Sequence, residues 1–393
     1  MTKLEQLIQE LCPNGVEYKK VKEVYIRLKG TPITAGKMKE ISNPDGDIKV
    51  FAGGKTVINA NLCDIPNANI IRVPAVLVQS RGVIDVIYYD KPFTFKNEMW
   101  AYTSDNNISV KYLYYILKNN IEKFREAAKG MGSLPQISLP VTEDFIIPIP
   151  PLEVQAEIVR ILDKFTELTT ELTTELTNRK KQYEYYKELI VNSYINTETI
   201  FKRLDILTDV RDGTHNSPKP KNEGKYLITS KNVKNGKINF DNAYLISEDD
   251  YKDINLRSKV NQWDILFTMI GTVGEIGLIQ EQPDFAIKNV GLIKTGNEIT
   301  SRFLMHYLTT SRIKKYISDN KSKGSQVFLS LGKLRAIPIP IFTLSEQLRI
   351  VAILDRFDKL CNDISEGLPA EIEARQKQYE YYRDKLLQFA IRN

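Results

Sequence analysis

The chain has 393 residues, 42% of them hydrophobic and 26% charged, with a formal net charge of +6; these proportions are typical of a folded globular protein. No apolar run approaches the roughly 18 residues of a membrane helix, and the first residues lack the pattern of a signal peptide, so we expect a cytoplasmic protein without a membrane partner. The cysteines Cys12, Cys63 and Cys361 are odd in number and widely spaced, which argues against a disulfide framework and a CxxC zinc site.

The first half of the chain opens with a stretch, from about Tyr18 to Ile146, in which short β-favouring runs alternate with Gly, Asn, Asp and Pro clusters. PAVLVQS (74–80) and VIDVIYY (83–89) are two of those runs, and VKYLYYILKNNIEKF (110–124) has apolar residues three and four apart, which predicts a helix. We therefore expect a compact α+β domain.

The apolar period changes after the IPIP sequence at residues 147–150. Apolar residues then follow one another by four, three, four, three and four positions, the spacing of a coiled-coil seam: Val154, Ile158, Ile161, Phe165, Leu168 and Leu172. TELT occurs three times in succession at 166–177, so its leucines lie above one another. A helix from Val154 to Asn192 would be roughly 58 Å long at about 1.5 Å per residue, a length suited to a spacer.

The second half repeats the first. At an offset of 192, Lys96-Asn97 matches Lys288-Asn289 and IVRILDKF (158–165) matches IVAILDRF (350–357). IPIP recurs at 337–340, and KQYEYY occurs at both 181–186 and 377–382. A second α+β domain is predicted from about Phe201 to Arg335, with the strands DILFTMI (264–270) and EIGLIQE (275–281) and the helix SRFLMHYLTTSRIKKYI (301–317).

The two long helices carry matching apolar stripes that neither can leave exposed, so the sequence predicts that they pair antiparallel within the chain. The alternative is that each helix packs onto its own domain. Gly367 and Pro369, inside a four-residue insertion, leave open whether the second helix is continuous. The predicted seam consists of Ile158, Ile161, Phe165, Leu168, Leu172, Leu176, Ile350, Ile353, Phe357, Leu360 and Ile364.

Catalytic motifs are missing from the sequence. The two histidines, His215 and His306, are too few for a His-based triad or metal site, and His306 lies among apolar residues that predict a core position. GTVGEIG (271–277) lacks the glycine spacing of a nucleotide loop and reads as a hairpin, and Asn43-Pro44-Asp45 lacks the second proline and the aromatic residue of a methyltransferase loop. We therefore predict no catalytic residue, no metal site and no cofactor bound by this chain.

Two segments are locally basic. Residues 19–40 carry seven Lys or Arg and two acids, and residues 200–240 carry nine and four. Such patches favour a polyanionic partner because attraction to phosphate depends on the local potential, although solvated loops have the same composition.

Polar, glycine-bearing loops occur at matching places in the two halves: RLKGTP (27–32) with VRDGTHNSPKPK (210–221), QSRG (79–82) with TMIG (268–271), and the Lys-Asn pairs. Arg and Lys suit guanine, Asn suits adenine, and Thr, Ser and Lys suit phosphate, while Lys-Asn equally fits a turn with a left-handed Asn. The candidate DNA-binding residues are Lys29, Thr31, Lys37, Lys55, Ser80, Arg81, Lys96, Asn97, Arg211, Thr214, His215, Asn216, Lys219, Lys221, Lys231, Asn232, Thr268, Lys288 and Asn289.

Over nearly its whole length the sequence resembles the specificity subunit of Type I restriction-modification enzymes. The resemblance is carried by DGTHNSP (212–218), DILFTMIGTVGEIG (264–277), the IPIP runs followed by Gln155 and Gln347, and RKKQYEYY (179–186). The first copy departs from the pattern, since it has KGTP where the second has DGTH.

The resemblance implies an α+β fold class: two α/β target recognition domains separated by an intramolecular antiparallel coiled coil of two long helices, with a pseudo-two-fold internal repeat. The implied boundaries are 1–146 and 200–336 for the recognition domains and 147–199 and 337–393 for the helical regions. Each recognition domain would read one half of a split double-stranded DNA target, and the coiled coil would set the gap between the halves.

The resemblance also implies partners, namely two methylation subunits that use S-adenosylmethionine and motor-nuclease subunits that use ATP with magnesium. The chain itself would be a non-catalytic subunit that confers DNA specificity. A coiled-coil scaffold and a stand-alone DNA-binding regulator without enzyme partners are the alternatives, and the missing motifs oppose a self-sufficient nuclease or methyltransferase.

Overall fold

In a computed structural model, the described residues are 2–54, 56–65, 67–128, 134–322, 324, 327–363 and 367–391. They form two compact units, one containing residues 1–171 and 373–393 and the other containing residues 172–372. Each unit combines helices with antiparallel and mixed sheets, so the predicted α+β class is confirmed.

The first unit places its helices around two small sheets. Its helices before the long helical region are α1 (Lys3–Leu11), α2 (Val21–Val24), α3 (Ala35–Glu40), α4 (Asn107–Asn119), α5 (Ile121–Ala127) and α6 (Leu139–Glu143), with a 3-10 turn at Leu62–Asp64. Its strands are β1 (Glu17–Lys20), β2 (Ile26–Leu28), β3 (Ile48–Phe51), β4 (Val57–Ala60), β5 (Ala75–Gln79), β6 (Asp85–Tyr89), β7 (Phe93–Phe95), β8 (Trp100–Thr103) and β9 (Ile146–Ile149).

These strands form a four-stranded antiparallel sheet in the order β2-β8-β5-β6 and a three-stranded sheet in the order β4-β3-β7, in which β3 and β7 are parallel. Among the described strands, the IPIP strand β9 pairs with β1 alone, in a two-stranded ribbon where prolines are tolerated because they need not donate to a second neighbour. The main core lies between the four-stranded sheet and α4, where Tyr102, Tyr112 and Leu113 are fully buried.

Over their described residues, the two helical regions contain three long helices. They are α7 (Leu152–Ser193), α13 (Leu344–Asn362) and α14 (Leu368–Leu386), numbered in chain order with the helices of the second unit. The first is unbroken and two residues longer at its start than predicted, because Pro150 and Pro151 stop the pattern immediately before it. The second helical region forms the two helices α13 and α14. The predicted seam residue Ile364 lies outside the described residues.

The second unit repeats the plan of the first. Its remaining helices are α8 (Leu204–Leu207), α9 (Glu248–Ser258), α10 (Glu298–Leu308), α11 (Ser311–Asn320) and α12 (Leu331–Arg335), with a 3-10 turn at Ser230–Asn232. Its strands are β10 (Phe201–Arg203), β11 (Asp209–Asp212), β12 (Lys225–Ile228), β13 (Val233–Lys234), β14 (Lys237–Ile238), β15 (Tyr244–Ile246), β16 (Ile265–Thr268), β17 (Ile276–Leu278), β18 (Phe285–Ile287), β19 (Val290–Lys294) and β20 (Pro338–Pro340).

Strand order in the second unit matches that of the first element by element. The four-stranded sheet runs β11-β19-β16-β17, and the three-stranded sheet runs β15-β12-β18 with β12 and β18 parallel. The second IPIP strand β20 pairs with β10 as β9 pairs with β1, while β13 and β14 form an additional hairpin. The predicted internal duplication is therefore confirmed in the fold.

Each of the helices predicted at 110–124 and 301–317 is two helices. In the first unit Asn120 leaves the helical conformation, and its Nδ2 donates to the carbonyl oxygen of Ile116 at 2.9 Å. In the second unit the hydroxyls of Thr309 and Thr310 donate to the carbonyls of His306 and Tyr307. Polar side chains that compete for backbone groups thus end both helices, an effect that apolar periodicity does not reveal.

Aromatic stacking joins the paired helices within each unit and explains the repeated KQYEYY string. In the first unit the ring of Phe165 on α7 lies 5.6 Å from Tyr382 and 6.3 Å from Tyr379 on α14. In the second unit Phe357 on α13 lies 5.5 Å from Tyr186 and 6.4 Å from Tyr183 on α7. The first half of α7 thus contacts α14, and the second half of α7 contacts α13, which precedes α14 in the chain. This is the order of contacts expected for the predicted antiparallel pair.

The buried face of α13 differs from the predicted seam. Ile350 is fully buried, but Ile353 and Leu360 are 44% and 39% exposed, whereas Val351, Leu354 and Cys361 are buried. The buried residues of α13 are therefore shifted by one position from the predicted seam. The shift arises because α13 packs against α10 of its own unit.

The start of α7 also packs onto its own domain. Ile158 is fully buried in the core of the first unit, and Ile161 is half-buried against that core. The first turns of α7 thus follow the alternative, in which a long helix packs onto its own domain. Leu168, Leu172 and Leu176 are half-buried. Helix pairing and domain packing therefore occur on the same helices, each along a different part.

Candidate nucleic-acid interface

The Gly-Thr segments that follow β2 and β11 occupy the same place in both units. The backbone N–H of Thr31 donates to the carbonyl of Phe95 at 2.7 Å, and that of Thr214 donates to the carbonyl of Ile287 at 3.0 Å. The glycine before each threonine is required, since a Cβ on Gly30 or Gly213 would collide with the same carbonyl oxygen. In each unit this hydrogen bond holds the first polar loop against the Lys-Asn turn, which follows β7 in the first unit and β18 in the second.

The hairpin tips are anchored by matching backbone bonds. In the first unit Ile137 N–H donates to the Ser80 carbonyl at 2.9 Å, and in the second Leu329 N–H donates to the Met269 carbonyl at 2.8 Å. Lys96 N–H and Lys288 N–H likewise donate at 2.9 Å to the carbonyls of the residues that end β3 and β12. QSRG leads into the turn between the paired strands β5 and β6, and TMIG into the turn between β16 and β17, so both lie at hairpin tips. Three loops therefore converge at one end of each unit.

In the second unit the hairpin tip and the Lys-Asn turn border an open cleft of about 600 Å³. Its walls are formed by the hairpin tip, the Lys-Asn turn, the 3-10 turn and the start of β15, and they carry the side chains of Lys231, Asn242, Tyr244, Thr272, Lys288 and Asn289. Lys231 is exposed, and Lys288 and Asn289 are half-buried wall residues; the Lys288 ammonium donates to the hydroxyl of Ser217. A concave surface with amide, ammonium and phenol groups has the chemistry needed to contact base edges and phosphates.

Four candidate DNA-binding residues are corrected, because their side chains are buried and engaged inside the protein. Thr31 bonds the Thr94 hydroxyl at 2.6 Å, and Ser80 donates to the carbonyl of Glu98. Asn232 accepts from Thr229 N–H at 2.9 Å, and Thr268 accepts from Glu275 N–H at 2.9 Å. These side chains hold the loops in shape rather than face a ligand.

Three basic candidates are paired with acids on the surface. Lys37 lies 2.8 Å from Glu40, Lys96 lies 3.1 Å from Glu98, and Arg211 lies 2.6 Å from Asp209. The hydrogen bond from Arg211 lowers the pKa of the Asp209 carboxyl and raises the pKa of the guanidinium itself. The Lys37 and Arg211 pairs are exposed and exchange partners at little cost, so they do not prevent contact with phosphate, whereas the Lys96 pair is half-buried.

The remaining candidates have side chains at or near the surface. Thr214 is half-buried, and its hydroxyl accepts from Asn216 N–H at 3.1 Å. Lys55 lies outside the described residues. The exposed members of the set are Lys29, Arg81, Asn97, His215, Asn216, Lys219, Lys221 and Lys231.

The Lys-Asn pairs differ in backbone conformation. Asn289 has a φ of 54°, in the left-handed region, whereas Asn97 is not among the positive-φ residues of the described chain. The side chain of Asn289 contacts the ring of His215, which in turn contacts Asp212. The turn interpretation therefore holds for the second pair, and the side chain of that pair belongs to a hydrogen-bonded cluster.

His306 has the core position that the sequence predicts. Its buried ring lies 2.7 Å from Asp355 Oδ1 through Nε2 and 3.0 Å from the Tyr183 hydroxyl through Nδ1. Burial raises the pKa of Tyr183 well above its ordinary value, so this phenol stays neutral. The cluster ties α10 to α7 and α13 within the second unit.

Several residues of the interface were missed by the sequence analysis. Asp212 and Arg257 complete the cluster around His215, and Tyr244 lines the cleft. In the first unit Glu98 accepts from the N–H of Gly53 at 3.5 Å and pairs with Lys96. The aspartate of DGTH was a signal for this cluster, but Arg257 reaches the cluster, and Tyr244 reaches the cleft, from distant parts of the sequence.

Within the described ranges, no three or more His, Cys, Asp or Glu side chains are grouped so that they could hold a metal ion. Over the same residues, every helix is too short or too polar to cross a bilayer.

Comparisons with known proteins agree with this duplicated architecture. The family model described as the Type I restriction modification DNA specificity domain matches twice, at residues 13–182 and 200–374. The Type I restriction enzyme EcoR124I/EcoR124II specificity subunit of Escherichia coli is 34% identical over 304 residues, which cover 72% of each chain. A putative Type I restriction enzyme specificity subunit of Haemophilus influenzae is 34% identical over 321 residues, covering 76% of this chain and 77% of the relative.

Solved structures share the fold at low sequence identity. The specificity subunit of a Type I restriction-modification system from M. genitalium superposes with a TM-score of 0.60 at 17% identity, covering 95% of this chain and 96% of that one. A chain from a structural study of complex assembly in the Type I restriction-modification system has a TM-score of 0.57 at 15% identity and covers 96% and 98%. The two family matches and the extent of the identity show that this chain belongs to the specificity subunits of Type I restriction-modification enzymes.

Proposed function

We propose that this chain is the non-catalytic subunit through which a Type I complex reads DNA, with each unit reading one half of a split double-stranded target. The observation that carries the proposal is the repetition of one loop cluster on the same backbone bonds with different side chains. Arg81 at the first hairpin tip is replaced by Ile270 at the second, and Lys29 is replaced by Asp212. Two readers of different half-sites need this combination of a common scaffold with unlike contacts.

The helical regions would set the gap between the half-sites and dock two methylation subunits. This is supported by the length of α7 and by the repetition of exposed aromatic residues along the two helical stretches. S-adenosylmethionine, ATP and magnesium would be used by the methylation and motor-nuclease subunits, and this chain would bind none of them. Two half-sites held at a fixed spacing bind with a high effective concentration, so the gap becomes part of the specificity.

The proposal is tested by producing this chain with its methylation subunits in a host that lacks adenine methylation and mapping N6-methyladenine across the genome. We expect one split motif with a constant gap. The chain alone, incubated with DNA, S-adenosylmethionine, ATP and magnesium, should give no product. A continuous motif, or methylation without the partner subunits, would contradict the proposal.

The exposed lysine at the cleft provides a second prediction. Replacing Lys231 with Ala should remove about one phosphate contact, so the slope of log K against log salt should become smaller by about one. The measurement is a salt titration of DNA binding by the assembled complex. Lys202→Ala is the matched control, since Lys202 is exposed on β10, which pairs with β20, and its slope should equal that of the parent. Equal slopes for all three proteins would count against contact at the cleft.

A third prediction concerns two equivalent exposed tyrosines. Tyr185 and Tyr381 are each 63% exposed, and each packs edge-on against the next tyrosine of its KQYEYY string. Exposed aromatic residues often dominate binding energy, with losses of roughly 2 kcal/mol or more on truncation. We therefore expect Tyr185→Ser or Tyr381→Ser to reduce the bound methylation subunits from two to one, and the double substitution to remove both.

Native mass spectrometry of the complexes measures this stoichiometry. Leu256→Ser is the control, because Leu256 is 84% exposed but lies on α9 of the recognition domain. This variant should retain two methylation subunits. Retention of two subunits by the double tyrosine variant would show that docking occurs elsewhere.

A further inference from the structure

A chain of hydrogen bonds links a buried carboxylate to the cleft of the second unit. Asp212, at the end of β11, is 5% exposed and accepts from Arg257 through Oδ1. Its Oδ2 lies 3.0 Å from Nε2 of His215, and Nδ1 of the same ring lies 2.7 Å from Oδ1 of Asn289. Asn289 is a wall residue of the cleft.

The donor in each bond follows from the chemistry of the groups. A carboxylate that faces a guanidinium is ionised and only accepts hydrogen bonds, so Nε2 of His215 carries a proton. A carboxamide oxygen also only accepts, so Nδ1 carries a proton as well whenever it faces Oδ1. With Oδ1 toward Nδ1, this arrangement is satisfied by a ring that donates from both nitrogens.

A neutral ring requires the opposite orientation of the amide. With Nε2 still donating to Asp212, Nδ1 of a neutral His215 is an acceptor, and only the Nδ2 group of Asn289 can satisfy it. The two orientations place different atoms at the cleft, either the amino group as a donor or the carbonyl oxygen as an acceptor. The protonation of His215 and the outward atom of Asn289 are thus coupled.

The backbone leaves Asn289 little other freedom. Its left-handed conformation is fixed by its own N–H, which donates to the Thr214 carbonyl at 3.1 Å, and by its carbonyl, which accepts from the Ser230 hydroxyl at 3.4 Å. The side-chain torsions remain free of these backbone bonds, and the contact with Nδ1 of His215 orients the terminal amide.

Resting on the proposed DNA-reading function, we propose that His215 is a positioning residue that turns Asn289 so that its amino group faces the cleft and donates to an acceptor atom on a base edge. The acceptors available in the major groove are O6 and N7 of guanine, N7 of adenine and O4 of thymine. The bidentate contact of a free asparagine with adenine is not available, because His215 occupies the amide oxygen. Asn289 therefore selects for an acceptor atom rather than for adenine as a whole.

Charged groups surround His215. Its ring faces Asp212, whose other carboxylate oxygen accepts from Arg257, and Lys288 precedes Asn289 in the adjoining turn. A bound DNA backbone adds negative potential at the loop and so favours the charged ring. DNA binding and the donor-outward orientation of Asn289 are expected to reinforce each other.

Nuclear magnetic resonance of the full chain tests the coupling without any DNA. The sequence has only two histidines, so ¹⁵N-histidine labelling gives two imidazoles, and a soluble paramagnetic agent identifies the exposed ring of His215 because His306 is buried. In a second sample labelled on asparagine, the side-chain amide signal that Asn289→Asp removes belongs to Asn289. We expect this signal to shift with the same midpoint as the His215 nitrogens in a pH titration. An amide signal that stays constant while His215 titrates overturns the proposal.

Methylation mapping of the assembled complex tests the consequence for specificity. His215→Ala should relax one position of one half-site, while the other half-site and the gap stay as in the parent. Asn289→Asp keeps an acceptor toward His215 but replaces the outward donor with an oxygen, so the same position should change toward cytosine or adenine, whose amino groups donate. Unchanged motifs in both variants overturn the proposal.

The matched substitution Asn97→Asp in the first unit should leave the second half-site as in the parent. If no split motif is found even for the parent complex, the proposed DNA-reading function fails, while the titration still decides whether His215 and Asn289 are coupled. Failure of the inference and failure of the proposed function are therefore distinguishable.

Discussion

Deleting one TELT unit, residues 170–173, should shorten the gap in the recognised target by about two base pairs and abolish modification of the original sites. Four residues of helix correspond to about 6 Å, close to two base pairs at about 3.4 Å each. The helix α7 runs unbroken from Leu152 to Ser193 through all three repeats, so the deletion removes a whole unit without changing the flanking sequence. Methylation mapping of the parent and the deletion complex gives both motifs directly.

The control for this deletion keeps the length of the helix. Glu171→Ala lies in the same repeat and favours the helix, so its gap should equal that of the parent. Both half-site sequences should be unchanged in the deletion, because no recognition loop is altered. An unchanged gap in the deletion complex would exclude α7 as the element that sets the spacing.

Replacing Gly213 with Ala should unfold or distort the second recognition domain and remove modification of the target. The added Cβ would collide with the carbonyl oxygen of Ile287, which accepts the hydrogen bond from Thr214 N–H at 3.0 Å. Forcing atoms into a packed site costs about 1–3 kcal/mol or more, and here the obstacle is backbone that has little room to move. At about 2–4 °C per kcal/mol for a domain of this size, thermal unfolding should show a clear loss of stability.

Gly332→Ala is the matched control within the same unit. Gly332 lies inside α12, has open space where its Cβ would be, and is not in a left-handed conformation. Alanine at this position should therefore leave the thermal unfolding midpoint unchanged or raise the free energy of unfolding by about 0.5–1 kcal/mol. Equal thermal unfolding midpoints for Gly213→Ala and Gly332→Ala would show that Gly213 is not packed as closely against the Ile287 carbonyl of β18 as the geometry indicates.

The buried candidates show where loop chemistry is insufficient. Thr31, Ser80, Asn232 and Thr268 were selected because their residue types suit phosphate or bases, and all four are used to hold backbone in place. A polar residue beside a glycine has two uses, contact with a ligand and support of the loop itself. Sequence order gives the position of a loop, but the direction of a side chain depends on strands that arrive from elsewhere.

The helical region shows the same division on a larger scale. The seam period correctly indicated that the long helices pair, yet Ile353 and Leu360 are exposed because α10 also competes for a face of α13. The repeated tyrosines were visible as a string, but their role required their stacking partners Phe165 and Phe357, which lie more than a hundred residues away in sequence.

By itself the sequence determined the duplication, the two α+β domains, the paired long helices and the family, because each depends on periodicity or on repetition along the chain. The tertiary structure decided which polar side chains face the cleft, which side of α13 is buried, and how Asp212, His215 and Asn289 are joined. Those outcomes depend on distant segments that compete for the same backbone groups and the same apolar surface. Burial and hydrogen bonding are satisfied over the whole fold, and so they cannot be assigned one residue at a time.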